Sequence, residues 1–153
     1  MKVKVALIGA GAMGGAIGTR LAQEGNQVTV FDLNAEKVAE LVAHGAVAAS
    51  SAAAAAAASD YVLTSLNAPQ IVDFAIFGKG GAAEGAKPGT LIIDMSSIDP
   101  ESTKDLAAKA TKKGLRWVDS PLSGGAPKAL SGELTLMAGG EAQDVLDAHN
   151  VLK

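Results

Sequence analysis

The sequence predicts an α/β fold built on a doubly wound, mainly parallel sheet with helices on both faces. Short apolar segments rich in β-branched residues alternate with segments of helical periodicity along the whole 153-residue chain. Such alternation is typical of a parallel sheet covered by its crossover helices. Hydrophobic residues make up 48% of the chain and aromatic residues only 3%, so the core must be built mainly from Ala, Val, Leu and Ile.

Six segments are predicted to be strands because each is a short apolar or β-branched run. The last of them follows a loop rather than a helix, so we expect it to run antiparallel to the others. The predicted strands are residues 3–8, 27–32, 61–66, 90–95, 115–119 and 134–138.

Helices are predicted between these strands, and capping residues mark several of their ends. Asn34 can cap one helix and Gly45 can end it. Asp99 and Pro100 suit the first turn of another helix, which Gly114 ends. The predicted helices lie within residues 12–24, 35–45, 69–77, 99–114 and 141–149.

Two segments have biased composition. Residues 50–60 contain seven consecutive alanines, which predict either a short helix or a poorly packed connector. Residues 78–89 are rich in glycine, and Lys79 is not followed by Ser or Thr, so the segment does not match a phosphate-binding P-loop. We expect a flexible loop there.

Composition argues against several classes of function. The net charge is −3 and no basic stripe with interleaved aromatic residues occurs, so no nucleic-acid partner is expected. The absence of cysteine excludes disulfides, thiolate metal ligands and a cysteine nucleophile, and His44 and His149 lack partners for a metal site. No apolar run approaches the ~20 residues of a membrane span. We therefore expect a cytoplasmic protein with neither a metal nor a membrane partner.

The segment GAGAMG at residues 9–14 matches the pattern G-x-G-x-x-G in the context that gives the pattern meaning. It follows the first predicted strand and opens the first helix, and the second strand ends at Asp32, 18 residues after Gly14. In this arrangement Gly9 permits the tight turn, Gly11 leaves room for a pyrophosphate, and Gly14 lets the helix pack on the strand. The N-terminus of the helix offers free N–H groups to the phosphates. The sequence thus predicts a Rossmann-like dinucleotide site.

Asp32 predicts the choice of dinucleotide. A carboxylate at this position can accept hydrogen bonds from both adenosine ribose hydroxyls and would repel a 2′-phosphate, so NAD is expected rather than NADP. Two alternatives remain open at this stage. The glycine-rich turn could be only a packing device, and Asp32 could merely cap a turn.

Four segments together carry a resemblance to a known family. They are GAGAMG at 9–14, VFDLN at 30–34, DMSSIDP at 94–100 and DSPLSGGAPKALSGELTLMAGG at 119–140. In order and spacing they resemble the β-hydroxyacid dehydrogenases, a family that includes 3-hydroxyisobutyrate dehydrogenases and tartronate semialdehyde reductases. The resemblance covers essentially the whole chain.

The resemblance implies roles for matching residues. Many relatives have proline where this chain has Asn67, and threonine where it has Ser97, so Asn67 is a departure while Ser97 keeps a hydroxyl. The implied cofactor-binding residues are Gly9, Gly11, Ala12, Met13, Gly14, Asp32, Leu33, Asn34, Leu66, Asn67 and Ser97. The implied substrate-binding residues are Ser123, Gly124 and Gly125, where a hydroxyl and closely approachable N–H groups suit a small carboxylate.

The resemblance also implies what the chain does not contain. The catalytic lysine of the family belongs to a second, all-helical domain that would follow Lys153, so residues 1–153 are expected to be the dinucleotide-binding domain with no catalytic residue. The full-length protein is expected to be an NAD(P)-dependent oxidoreductase that interconverts a small 3-hydroxy acid and its aldehyde or keto acid. The chain alone is expected to be weakly active or inactive, and its exposed apolar surface could support a homo-oligomer.

Two alternatives to this function remain open. The chain could be a nucleotide-binding regulatory module without catalysis, or part of an imine- or aldehyde-reducing relative on the same scaffold.

Overall fold

The computed structural model describes residues 2–153. Within that range the strands are β1 Lys4–Ile8, β2 Gln27–Phe31, β3 Val47–Ala48, β4 Tyr61–Thr64, β5 Leu91–Asp94, β6 Arg116–Asp119, β7 Leu122–Ser123, β8 Thr135–Leu136 and β9 Gly139–Gly140. The helices are α1 Ala12–Gln23, α2 Ala35–Ala43, α3 Ala52–Ala57, α4 Pro69–Phe77, α5 Ala82–Gly85, α6 Pro100–Lys112, α7 Gly125–Ser131 and α8 Ala142–Leu152. No helix in the described range has the length and apolar character needed to cross a membrane.

The main sheet has seven strands in the order β3-β2-β1-β4-β5-β6-β9. Strands β1 to β6 run parallel, and only β9 runs antiparallel, beside β6. The strand order reverses between β1 and β4, which is the topological switch point of a doubly wound fold. The predicted Rossmann-like fold class is confirmed.

Helices on both faces cover the sheet, and the strand side chains alternate between two aliphatic clusters. Leu7 and Ile93 belong to the cluster beneath α1 and α8, while Ala6 and Ile92 belong to the cluster beneath α3, α4 and α6. All four are fully buried. This burial on both faces explains why the strands read as continuous apolar runs rather than alternating ones.

The strand predicted at 134–138 is present and antiparallel, but it is limited to Thr135–Leu136 and lies outside the main sheet. It pairs with Leu122–Ser123 in a separate two-stranded sheet. The antiparallel edge strand of the main sheet is Gly139–Gly140 instead. A side chain at Gly140 would lie 3.0 Å from the Trp117 carbonyl oxygen, so glycine permits a close approach to β6 that apolar patterning does not reveal.

The flexible loop predicted at 78–89 is wrong in part. Ala82 begins the short helix α5 and is fully buried. A Cβ on Gly85 would lie 1.9 Å from the Ala53 carbonyl oxygen, so the backbones of α5 and α3 are in direct contact. The Ala53 N–H also donates to the Gly80 carbonyl at 3.0 Å. Here glycine and alanine allow close packing, and the alanine run forms a packed helix rather than a loose connector.

Helix α8 is fastened to the amino-terminal edge of the sheet by charged groups. The Arg116 guanidinium donates to Asp144 at 3.0 Å and to Asp147 at 2.7 Å. The Tyr61 hydroxyl donates to Asp147 at 2.7 Å. Burial alone would raise the pKa of Asp147, but the hydrogen bonds from Tyr61 and Arg116 outweigh it and leave that pKa below its ordinary value.

We expect Arg116→Met to lower the free energy of unfolding by about 1–3 kcal/mol at neutral pH, because it removes the cation that pairs with two half-buried carboxylates. A depressed carboxyl pKa contributes stability above the ordinary value and loses it as the pH falls through the folded-state value. The difference between wild type and variant should therefore shrink in acid. Urea unfolding followed by circular dichroism across pH measures both effects.

The matched control is Lys109→Met, which breaks the more exposed pair with Asp73. We expect it to cost less than ~1 kcal/mol. An Arg116 variant no less stable than this control would contradict the role assigned to Arg116.

Candidate functional site

The carboxyl ends of the parallel strands meet along one edge of the sheet, where open α/β sheets bind ligands. The register aligns Ile8 with Phe31 and with Thr64, and Thr64 with Asp94. The loops that follow these strands carry the predicted cofactor residues, and the loop after β6 carries the predicted substrate residues. The fold thus brings the two predicted sets to the same edge.

The three glycines of the 9–14 turn have different environments. Gly9 has a φ of +105°, and a Cβ there would lie 2.4 Å from the Ser65 carbonyl oxygen. A Cβ on Gly14 would lie 2.1 Å from the Gly9 carbonyl oxygen. A Cβ on Gly11 would meet nothing within 4 Å. Gly9 and Gly14 are therefore required by the packing of β1, β4 and α1, whereas Gly11 borders open space.

That open space lies at the N-terminus of α1. Gly11 is the N-cap, and no side chain of the described residues caps the helix. The N–H groups of Ala12 and Met13 in the first turn are consequently among those that have no carbonyl partner within the helix. An uncapped helix N-terminus beside open space suits an anion.

Asp32 joins the loop after β1 to the loop after β2. One carboxylate oxygen accepts the Ala10 N–H at 2.7 Å, and the other accepts the Asn34 N–H at 2.7 Å. Asn34 in turn caps α2 by accepting the Glu36 N–H at 3.0 Å. Asp32 does hold a turn, as one alternative suggested, but each of its oxygens keeps a lone pair for another donor. Its neighbour Leu33 is 92% exposed.

A mainly apolar cavity of about 330 Å³ opens beside Asp32, between the end of β1 and helices α3 and α4. Leu66 lines it, as do two residues whose ligand role the sequence did not suggest, Ile71 and Phe74 on α4. These two side chains are 47% and 66% exposed. The sequence signal that could have indicated this wall was the presence of apolar residues on the outward face of α4.

The remaining predicted residues are exposed along the same edge. Asn67, Ser97 and Ser123 are all exposed to solvent. Gly124 and Gly125 have φ values of +135° and +76°, a backbone conformation that favours glycine. They open α7, a helix that was not predicted and that packs on α1.

Helix α7 brings the 123–125 loop towards the 9–14 turn. Ala126 and Leu130 of α7 line a second cavity, of about 620 Å³, together with Gly11 and Ala12. The predicted substrate loop therefore ends at a helix that borders the open space at Gly11.

A buried carboxyl group ties the loops of this edge together. Asp94 is fully buried, and its Oδ1 accepts the Thr64 hydroxyl at 2.8 Å and the Ser96 N–H at 3.0 Å. The Ser96 hydroxyl accepts the Leu66 N–H at 2.9 Å. Burial raises the pKa of Asp94, and burial followed by the Asp94 charge raises the pKa of Asp119. The sequence did not indicate Ser96, because its bond to Leu66 joins residues thirty positions apart.

Comparison with known proteins identifies this arrangement. The family model described as the NAD binding domain of 6-phosphogluconate dehydrogenase matches residues 4–153. The chain belongs to that family. A 2-(hydroxymethyl)glutarate dehydrogenase of Eubacterium barkeri is 44% identical over 137 residues, which are 90% of this chain and 46% of that protein. A 3-sulfolactaldehyde reductase of Escherichia coli is 39% identical over 97% of this chain and 50% of that protein.

Solved structures agree with this membership. A 3-hydroxyisobutyrate dehydrogenase of Mycobacterium tuberculosis, solved with L-serine, is 31% identical and superposes with a TM-score of 0.94 over 99% of this chain and 51% of that one. The chain is thus a dinucleotide-binding domain of that family, and its similarity to a 3-hydroxyisobutyrate dehydrogenase agrees with the resemblance seen in the sequence. It spans about half the length of the curated relatives it matches.

Proposed function

We propose that this chain binds NAD(H) and forms one wall of the active site of an enzyme that interconverts a small 3-hydroxy acid and its aldehyde or keto acid. The observation that carries the proposal is the open space at Gly11, which lies at the uncapped N-terminus of α1 and is lined by Ala126 of α7. Asp32 is bonded to the adjacent Ala10 N–H. The pyrophosphate would lie at that helix N-terminus.

In this proposal the adenosine half of the cofactor occupies the cavity beside Asp32. The planar base would lie against Ile71 and Phe74, whose apolar surface is otherwise exposed to water. The two ribose hydroxyls would donate to the free lone pairs of Asp32. A 2′-phosphate would bring negative charge next to this carboxylate, so NAD is favoured over NADP.

The nicotinamide half would extend along the sheet edge towards Ser97, and the substrate would lie between it and Ser123. The Ser123 hydroxyl and the N–H groups of Gly124 and Gly125 are suitable donors for a carboxylate. We assign no general acid or base to this chain. The proton that accompanies hydride transfer would be moved by a group outside residues 1–153.

Ser123→Ala tests the substrate half of the proposal. Saturation-transfer NMR of 3-hydroxyisobutyrate in the presence of NAD+ should give a binding signal with the wild-type chain. The alanine variant should weaken hydroxy-acid binding about fivefold or more, because one hydrogen bond to a charged group is lost. Its NADH affinity should stay within about twofold, since Ser123 lies outside the nucleotide contacts.

The matched control is Ser131→Ala at the end of α7, where the hydroxyl donates to Glu133 rather than facing the site. It should change neither measurement. If Ser123→Ala binds the hydroxy acid as well as wild type does, the substrate assignment is wrong. Intact nucleotide binding without any hydroxy-acid binding would favour the regulatory module, and binding of an imine instead would favour the imine-reducing alternative.

A further inference from the structure

Asp94 lies at the edge of the sheet that forms the proposed site, but its side chain is not accessible to a ligand. It is the last residue of β5 and is 0% exposed. In the sheet it lies between Thr64 of β4 and Asp119 of β6. None of the ion pairs found within residues 2–153 includes Asp94 or Asp119.

The hydrogen bonds of the Asp94 side chain go to the end of β4 and to the loop after β5, next to residues of the proposed site. Its Oδ1 accepts the Thr64 hydroxyl, directly before the loop that carries Leu66 and Asn67. The same oxygen accepts the Ser96 N–H, directly before Ser97. The Ser96 hydroxyl also accepts the Leu66 N–H. The loops after β4 and β5 are therefore bonded to each other as well as to the same carboxylate oxygen of Asp94.

The loop after β6 is also hydrogen-bonded to Asp94, in this case through the backbone. The Ser120 N–H donates to the Asp94 carbonyl at 2.8 Å. The other carboxylate oxygen of Asp94, Oδ2, is buried and has no hydrogen-bond partner among the described residues. An apolar side chain would be expected to cost the fold less at this position, as at the preceding Ile92 and Ile93, because burying a carboxyl group beside a second one is unfavourable.

We propose that Asp94 is a positioning residue for the nicotinamide side of the site. Its single accepting oxygen fixes the loop that carries Leu66 and Asn67 relative to the loop that carries Ser97. This inference rests on the proposed function, in which the dinucleotide lies across both loops. It predicts that Asp94 affects the nicotinamide half of the cofactor much more than the adenosine half, which is bound by Asp32 and the 9–14 turn.

The test compares NADH with ADP-ribose, which lacks the nicotinamide, by calorimetry on folded protein. Asp94→Leu removes the accepting oxygen, and we expect NADH to bind about tenfold more weakly or worse, with ADP-ribose changed less than about threefold. Asp94→Asn keeps the accepting oxygen and replaces only the oxygen without a partner. It should return NADH affinity to within about threefold of wild type. Asp60→Leu, an exposed position directly before β4, is the matched control and should change neither affinity.

A second variant and a second measurement keep the test decisive. Ser96→Ala frees the Leu66 N–H without altering Asp94, and it should weaken NADH but not ADP-ribose even if Asp94→Leu fails to fold. Amide hydrogen exchange without ligand should be faster at Leu66 and Ser96 in Asp94→Leu and unchanged in Asp94→Asn.

Equal weakening of both nucleotides, or unchanged NADH affinity in folded Asp94→Leu and in Ser96→Ala, would overturn the positioning role. If the wild-type chain binds neither nucleotide, the proposed function fails. The exchange rates then decide by themselves whether Asp94 holds the two loops.

Discussion

Replacing Gly11 with valine should weaken NADH binding roughly 100-fold, about 2.7 kcal/mol, while leaving the fold nearly as stable as wild type. Gly11 has a φ of −65°, which valine can adopt, and a Cβ there meets no protein atom within 4 Å. The loss of a favourable N-cap residue should lower the free energy of unfolding by no more than ~1 kcal/mol. The new side chain would occupy the space that the pyrophosphate needs.

Two other glycines of α1 provide the comparison. Gly15→Ala places a Cβ in ordinary contact, 3.4 Å from the Ala10 carbonyl oxygen, and should leave NADH affinity within about twofold. Gly14→Ala drives a Cβ into the Gly9 carbonyl and should destabilise the fold itself by about 1–3 kcal/mol. Calorimetry and thermal unfolding of the three variants separate binding from packing. Unchanged NADH affinity in Gly11→Val would mean that the pyrophosphate does not lie there.

Asp32→Ala should weaken NADH binding roughly 100-fold and remove most of the preference for NADH over NADPH. The variant loses both acceptors for the ribose hydroxyls and both backbone hydrogen bonds that join Ala10 and Asn34. NADPH should be weakened less, because the carboxylate that repels its 2′-phosphate is also gone. Parallel titrations with the two nucleotides give the ratio of affinities directly.

The ratio distinguishes the two roles of Asp32. If Asp32 only holds the turn, both nucleotides should weaken by the same factor and their ratio should not change. The control is Asp60→Ala, which removes an exposed carboxylate next to β4 at the opposite edge of the sheet and should change neither affinity.

The sequence predicted those parts of the fold that local patterns determine. Buried parallel strands are short apolar runs, and the ends of α2 and α6 carry Asn34 and Asp99, whose side chains accept backbone N–H groups as predicted. The 9–14 turn was recognised because its glycines fall between a strand and a helix. In the structure Gly9 and Gly14 are closely packed against backbone atoms while Gly11 borders open space, as the motif requires.

The parts that were missed depend on contacts between distant residues. Strands β3, β7 and β9 have only two residues each, too short for any period to appear. Helix α5 exists because Gly85 packs on Ala53, and the flanking glycines alone suggested flexibility. In the site, the bond from Leu66 to Ser96 and the wall formed by Ile71 and Phe74 arise only when the strands and helices come together.

A calorimetric titration of the wild-type chain with NADH and, separately, with NADPH tests the central claim most directly. We predict saturable binding of one NADH per chain and distinctly weaker binding of NADPH. A chain that unfolds cooperatively, and is therefore folded, but binds neither nucleotide would contradict the claim that the edge formed by Gly11 and Asp32 is a working dinucleotide site.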